Sequence, residues 1–203
     1  MRIGVLALQG AVKEHIQALG RLGVEAREVR TPAHLTGLSG VILPGGESTT
    51  LGKLMERIGL DRALCEFAGA GKPILGTCAG MILMGRAVEG CRKPLLGLMD
   101  VVVRRNAFGR QVESFERDLE VAGFNGVKFR GVFIRAPYIV ETGRGVEVMA
   151  QVDGHPVLVR QGNLLAAAFH PELTDDSRLH ELFVETAKSE GPTTELTEST
   201  ERE

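Results

Sequence analysis

Short apolar runs alternate with polar segments of helical period through the first half of the chain, and this pattern predicts strands and helices in turn. Ile3 to Leu8 predicts a strand, Val12 to Leu22 an amphipathic helix, Glu25 to Val29 a second strand and Val41 to Leu43 a third. Helices are expected around Thr49 to Ile58 and Arg62 to Ala70. The run Lys72-Pro73-Ile74-Leu75 opens another strand, which stops before Cys78, and a helix starts after it at Ala79-Gly80-Met81-Ile82-Leu83-Met84. Such alternation predicts an α/β fold: an open, mostly parallel sheet with helices on both faces and its site at the carboxyl ends of the strands. The second half turns strand-rich, with candidates at Leu98 to Arg104, Leu119 to Val121, Lys128 to Ile134, Val146 to Val152, Pro156 to Arg160 and Leu164 to Phe169, which add antiparallel strands. A last helix, about Asp176 to Lys188, closes the fold.

After Lys188 the pattern stops. Residues 189–203 are polar, acidic and nearly free of apolar side chains, the composition of a disordered tail, so residues 1–188 are expected to form one domain. With 203 residues and 43% hydrophobic content the chain can bury a full core. A formal net charge of -2, with basic residues scattered, argues against a general nucleic-acid binder. Cys65, Cys78 and Cys91 cannot all pair and lack metal-ligand spacing, which fits a reducing cytoplasm. Cys65 lies in a helical pattern and Cys91 in a Gly-Cys-Arg loop, so both are expected to be structural or incidental. The apolar run after Met1-Arg2 is about one strand long, too short for a signal peptide or membrane span.

Cys78 differs from the other two. Gly76-Thr77-Cys78-Ala79-Gly80 has the G-x-C-x-G spacing of a nucleophile elbow, in which small neighbours allow a tight strand-to-helix turn to expose the nucleophile. The following helix would aim its positive dipole end at the sulfur and offer backbone N–H groups to a developing oxyanion. The alternative is a buried cysteine beside a turn. A second constellation, Phe169-His170-Pro171-Glu172, follows the run Leu164-Leu165-Ala166-Ala167-Ala168. In an extended segment His170 and Glu172 would face one side, letting a carboxylate orient the imidazole that serves the thiol. Alone, His-Pro-Glu is more often an ordinary strand end. Between strand and helix stands Leu43-Pro44-Gly45-Gly46-Glu47-Ser48-Thr49-Thr50, a loop whose amides can meet an anion. It reads as half of an oxyanion hole, or as a Gly turn with a Ser48 or Thr49 helix cap. A Walker loop is disfavoured because no Gly-Lys-Ser/Thr ending is present.

Pro44-Gly45-Gly46-Glu47-Ser48, Gly76-Thr77-Cys78-Ala79-Gly80 and His170-Pro171-Glu172, in that order, resemble a class I, triad-type glutamine amidotransferase. The segments starting at Gly4, Arg105 and Gly131, namely Gly-Val-Leu-Ala-Leu-Gln-Gly-Ala-Val, Arg-Asn-Ala-Phe-Gly-Arg-Gln and Gly-Val-Phe-Ile-Arg-Ala-Pro, narrow the resemblance. They are similar to the glutaminase subunits of two-component pyridoxal 5'-phosphate synthases, over Met1 to about Lys188. The resemblance implies a flavodoxin-like sheet and hydrolysis of L-glutamine to glutamate and ammonia by Cys78, His170 and Glu172. Gly46 and Ala79 would supply the oxyanion hole. Glutamine would be bound by Gly46, Glu47, Ser48, Arg105, Ile134 and Arg135, with no cofactor and no metal. It also implies a synthase subunit that takes up the ammonia, with Gln9 coupling docking to catalysis; Gln9-Gly10 is otherwise a turn into the helix. Neither nucleic acid nor membrane is an expected partner. The rival expectations are a glutaminase for another synthase, of the imidazole glycerol phosphate type, a cysteine peptidase or thiol hydrolase, and a non-catalytic subunit.

Overall fold

The computed structural model describes residues 1–90, 96–107 and 114–189. The remainder of the Arg-Asn-Ala-Phe-Gly-Arg-Gln block from Phe108 onward, Cys91 and the acidic tail beyond Ser189 lie outside the described residues. In chain order the first half gives β1 (Arg2–Leu6), α1 (Val12–Arg21), β2 (Glu25–Val29), β3 (Gly40–Leu43), α2 (Ser48–Ile58), α3 (Leu60–Gly69), β4 (Ile74–Thr77) and α4 (Ala79–Met84). The second half gives β5 (Gly85–Val88), β6 (Met99–Arg104), β7 (Ser114–Leu119), β8 (Phe129–Ile134), β9 (Tyr138–Thr142), β10 (Glu147–Val152), β11 (His155–Gln161), β12 (Leu164–Ala167) and α5 (Arg178–Ser189). Short 3₁₀ turns occupy Pro32–Leu35 and Pro171–Leu173.

The main sheet has the order β10-β11-β12-β4-β3-β1-β2. The five strands from β12 to β2 are parallel, whereas β10 and β11 join β12 in antiparallel fashion. Smaller sheets, β5-β6-β9 and β7-β8, accompany it. Successive residues of a strand point to opposite faces, and β4 shows what each face carries. A side chain added at Gly76 would meet Met84 and the Gly80 backbone of α4. Thr77, its neighbour, reaches His15 of α1 instead, and His15 in turn meets His180 of α5. Helices therefore cover both faces of an open, mostly parallel sheet, with antiparallel strands added in the second half.

Local sequence explains most element ends. Gly59, in the left-handed region at φ 71°, closes α2 and opens α3. Asp153 and Gly154, both at positive φ, form the two-residue turn that lets Val152 pair with His155 across the β10-β11 hairpin. Central strands are buried along their length, so β3 and β4 consist of apolar or small residues with Thr77 the only hydroxyl.

Three expectations need correction. The strand expected at Leu119 to Val121 runs instead from Ser114 to Leu119; its exposed positions include Glu116, Arg117 and Asp118, so hydrophobicity marks only its buried end. The sequence pattern does not predict β5 or β9, because β5 follows directly on a helix that stops at Met84 and β9 is apolar only over its first residues. His170 and Glu172 do not lie on one extended strand. β12 ends at Ala167, and Pro171, its ring already set for a helical φ, starts a 3₁₀ turn that contains Glu172.

Glycine at position 80 is a packing requirement: a β-carbon there would lie 1.9 Å from the Leu43 carbonyl oxygen. We expect Gly80→Ala to destabilise the fold by about 2 kcal/mol or more, the range for overpacking against backbone. Gly20→Ala, in α1 with open space around it, should instead stabilise by about 0.5–1 kcal/mol. Denaturant midpoints of the two variants check both signs.

Candidate active site

Parallel pairing of β4 with β12 sets Thr77 opposite Ala167. The Cys78 N–H extends this ladder by donating to the Ala167 carbonyl at 2.8 Å. Cys78 itself adopts φ 48°, ψ -103°, a conformation an L-residue enters only at a cost of order 1–3 kcal/mol. It forms the turn from β4 into α4, so the amides of the first turn of α4 start beside its side chain. The elbow expected from Gly76-Thr77-Cys78-Ala79-Gly80 is thus present, with Cys78 mostly buried and its thiol 3.9 Å from the Ile134 carbonyl at the end of β8.

The chain after β12 is fixed on two sides before it reaches His170. Ala168 N–H donates to Val157 of β11, and His170 N–H donates to Val132 of β8. Phe169 between them is fully buried against Phe129 and Phe133. His170 Nδ1 lies 2.7 Å from Glu172 Oε1, and the ring meets Cys78 beside Gly45. Burial alone would lower the His170 pKa, but the neighbouring Cys78 and Glu172 outweigh it and push it up to about 10. Burial would raise the Glu172 carboxyl, yet its bond to His170 and the nearby His15 hold it below the usual carboxylate range. The arrangement can therefore hold an imidazolium between a carboxylate and a forming thiolate.

The loop after β3 closes over this pair. A β-carbon on Gly45 would stand 2.4 Å from His170 Cε1 and 3.4 Å from Cys78 Cβ. Gly10, at φ 104°, presses on the same loop so closely that its own β-carbon would fall 1.7 Å from the Gly45 carbonyl oxygen. Gln9 Oε1 accepts from Glu47 N–H at 3.3 Å. The α2 cap is Glu47 rather than Ser48 or Thr49: its carboxylate accepts from Thr49 N–H, Thr50 N–H and the Thr50 hydroxyl. The Thr50 hydroxyl and the Thr49 amide hold the Glu47 pKa down to about 2. This satisfies amides that would otherwise be orphaned at the helix start.

These pieces line one open cleft of about 840 Å³. It brings together Gln9, Gly46, Glu47, Ser48, Cys78, Ala79, Arg105, Ile134, Arg135 and His170. Glu172 stands behind His170, buried. Arg105 reaches over the loop to donate to Thr49 Oγ1 at 3.2 Å, and Arg135 occupies a strained φ of 44° just past β8. Cys65 lies elsewhere, on α3, where its thiol meets the Leu96 carbonyl. Arg104, paired with Glu89 at the cleft wall, and the polar cluster behind Glu172 were missed by sequence reasoning. Glu14-His15 on an amphipathic helix looks like an ordinary surface pair; only the inward stripe shared with Ala18 and Leu19 hints that His15 is buried.

The chain is similar to known proteins along most of its length. The model of the SNO glutamine amidotransferase family matches residues 5–189. A Pelotomaculum thermopropionicum protein named pyridoxal 5'-phosphate synthase subunit PdxT is 54% identical over 185 residues, 91% of this chain and 94% of its own. A Geobacillus kaustophilus protein of the same name is 54% identical over 188 residues, covering 93% and 95%. A crystal structure described as a glutamine amidotransferase superposes with a TM-score of 0.88 at 53% identity, covering 92% of this chain and 98% of the other. A glutamine amidotransferase from Thermotoga maritima, 15% identical with a TM-score of 0.60 over 93% of this chain and 84% of its own, shares the fold.

The contact at Gly45 gives a direct prediction. Gly45→Ala should displace the imidazole or the loop and lower kcat by about 10²-fold, the cost of a misplacement of about 1 Å at a reacting group. The thermal transition should stay cooperative, and steady-state kinetics beside a melting curve checks both.

Proposed function

The chain belongs to the SNO glutamine amidotransferase family, and we propose that Cys78, His170 and Glu172 form the triad with which it hydrolyses L-glutamine. It is the glutaminase subunit of pyridoxal 5'-phosphate synthase and works with the synthase subunit. The observation that carries the triad is the hydrogen bond of His170 Nδ1 to Glu172 together with the convergence of the His170 ring and the Cys78 side chain on Gly45 at one end of the parallel sheet.

The steps follow from these contacts. His170 takes the Cys78 proton, and the thiolate attacks the side-chain amide carbon of glutamine. Charge develops on the amide oxygen and is met by the N–H groups of Gly46 and Ala79. His170 returns its proton to the leaving nitrogen, the C–N bond breaks and ammonia departs, leaving a glutamyl thioester on Cys78. Water, deprotonated by His170, cleaves that thioester to glutamate and restores the thiol. Glu172 orients the ring and offsets its charge throughout, as the acid of a serine triad does.

The α-carboxylate of glutamine meets the guanidinium groups of Arg105 and Arg135, which suit a planar anion. Ser48 and Ile134 complete the substrate wall with Gly46. Glu47 contributes through its main chain, because its carboxylate is committed to capping α2. Neutral water keeps free ammonia mostly protonated and unreactive, so direct transfer to the docked synthase subunit preserves it as a nucleophile. Gln9 couples docking to the oxyanion loop by holding the Glu47 amide. Among the described residues no helix is long and apolar enough to cross a membrane, and we place the enzyme in the cytoplasm.

Cys78→Ala should lower glutamate release by about 10³-fold or more while leaving the fold and docking nearly unchanged. Assay of glutamate with and without the synthase subunit checks this; normal turnover by the variant would remove Cys78 as nucleophile. Gln9→Ala should reduce the partner-stimulated rate with a stability change of only about 1 kcal/mol. An unchanged stimulated rate with normal docking would remove Gln9 from the coupling.

A further inference from the structure

Glu172 uses only one carboxylate oxygen on His170. The other, Oε2, is buried without a hydrogen bond, and His15 Nε2 stands 3.4 Å away, with both side chains excluded from solvent. His15 belongs to α1. Its Nδ1 lies 3.0 Å from Nε2 of His180 on α5, and its Nε2 lies 3.2 Å from the hydroxyl of Thr77, the residue preceding the nucleophile. Groups from three elements thus converge behind the acid of the triad. Among the described residues no set of three His, Cys, Asp or Glu could hold a metal ion, so the 3.0 Å separation reads as an imidazole–imidazole hydrogen bond.

Charge fixes where the protons sit. Burial keeps both rings neutral: it lowers the His15 pKa against the pull of Glu172 and Glu14, and with the neighbouring His15 it lowers the His180 pKa to about 3. The other groups acting on the pair are His170 and Arg21, and both favour the same neutral state. A neutral imidazole has one N–H, whereas an ionised carboxylate only accepts. With its proton on Nε2, His15 donates to the Thr77 hydroxyl and sets that N–H, rather than a lone pair, 3.4 Å from Glu172 Oε2, while its Nδ1 accepts from His180 Nε2–H. That leaves His180 Nδ1 as a bare lone pair, and this is the ring nitrogen that has no partner. The opposite arrangement would turn a His15 lone pair toward the carboxylate and bury an unpaired N–H on His180, the rarer and costlier kind of orphan.

We propose that His15 is a positioning residue of the triad: held as its Nε2–H tautomer by His180 and by the Thr77 hydroxyl, it keeps the positive end of an N–H dipole beside Glu172 Oε2 and so keeps the carboxylate ionised with Oε1 toward His170. This rests on the triad reading above. It makes α1 and α5, which touch no substrate, part of the catalytic geometry.

The test compares His15→Gln, whose amide retains a donor near the Nε2 position, with His15→Leu, which removes it. Each is assayed for kcat and KM with the synthase subunit. The pH dependence of Cys78 alkylation by iodoacetamide is followed on the Cys78 peptide by mass spectrometry. His15→Leu should lower kcat about threefold to tenfold, the range for losing a neutral hydrogen bond, with KM within about twofold because His15 does not touch glutamine. Without its donor Glu172 takes up a proton at higher pH, so the acid limb of alkylation should move upward. His15→Gln should recover most of both. A wild-type kcat and acid limb in His15→Leu overturn the proposal, and so does a His15→Gln variant as impaired as His15→Leu, which would mark a packing role. Should His15→Leu lose its cooperative melting transition, His180→Leu and His180→Gln are compared in the same way: only the leucine variant should shift the limb, and equal behaviour of the two overturns the proposal. Continued glutamine turnover by wild-type enzyme with Cys78 fully alkylated would overturn the triad itself.

Discussion

β4 and β12 run parallel and in register from Ile74 opposite Leu164 to Thr77 opposite Ala167, and the Cys78 amide adds one more bond to the Ala167 carbonyl. The proposed nucleophile and base are far apart in sequence, yet each follows from its own strand of this pair. Cys78 is the first residue past β4, and His170 is reached through a segment pinned to β11 and β8. A one-residue slip between these strands would turn each side chain to the other face of the sheet. The apolar side chains that the two strands bury on both sides resist such a slip, so the packing of the core also sets the distance between thiol and imidazole.

Around that pair the backbone is crowded rather than the side chains. Gly10 lies on the Gly45 carbonyl, Gly45 on His170, and Gly80 on the Leu43 carbonyl. These contacts bring the ends of β1, β3 and β4 close enough for main-chain groups to line the cleft above the thiol. They also leave little room for relaxation. Strained residues at Cys78 and Arg135 flank the same cleft, and the surrounding hydrogen bonds hold them there. The electrostatic arrangement matches: a buried carboxylate below its usual range and an imidazole pushed well above its own are complementary, and each is stabilised by the other.

Much of this was legible in the sequence, for identifiable reasons. The central strands β3 and β4 are apolar or small on both faces and announce themselves as short runs, whereas the edge strand β2 alternates polar residues with Ala26 and buries Val29; these strands and the helices between them fall where the pattern places them. The small residues around Cys78 and the glycines after Leu43 mark turns that few other residues permit. Strand β7 escapes the pattern because Glu116, Arg117 and Asp118 give it the composition of a loop while β8 supplies its pairing. The His170-Pro171-Glu172 segment predicts the right contact on the wrong backbone: a 3₁₀ turn, not a strand, brings Glu172 under the ring. His15 carries only the signal of its place on the buried stripe of α1, and nothing local to it or to His180 marks the pair. Their meeting depends on α1 and α5 packing on one face of the sheet, which spacing within either helix cannot report.

The proposed triad requires that Cys78 form a covalent glutamyl intermediate under the control of His170. Its most direct test is mass spectrometry of the enzyme mixed with L-glutamine in the presence of its synthase partner, then quenched in acid during turnover. One glutamyl group in thioester linkage is expected, confined to the peptide that contains Cys78 and absent when His170 is replaced by Asn. A glutamyl group on Cys65 or Cys91, or rapid turnover with no adduct at Cys78 under conditions that trap thioesters, would contradict it.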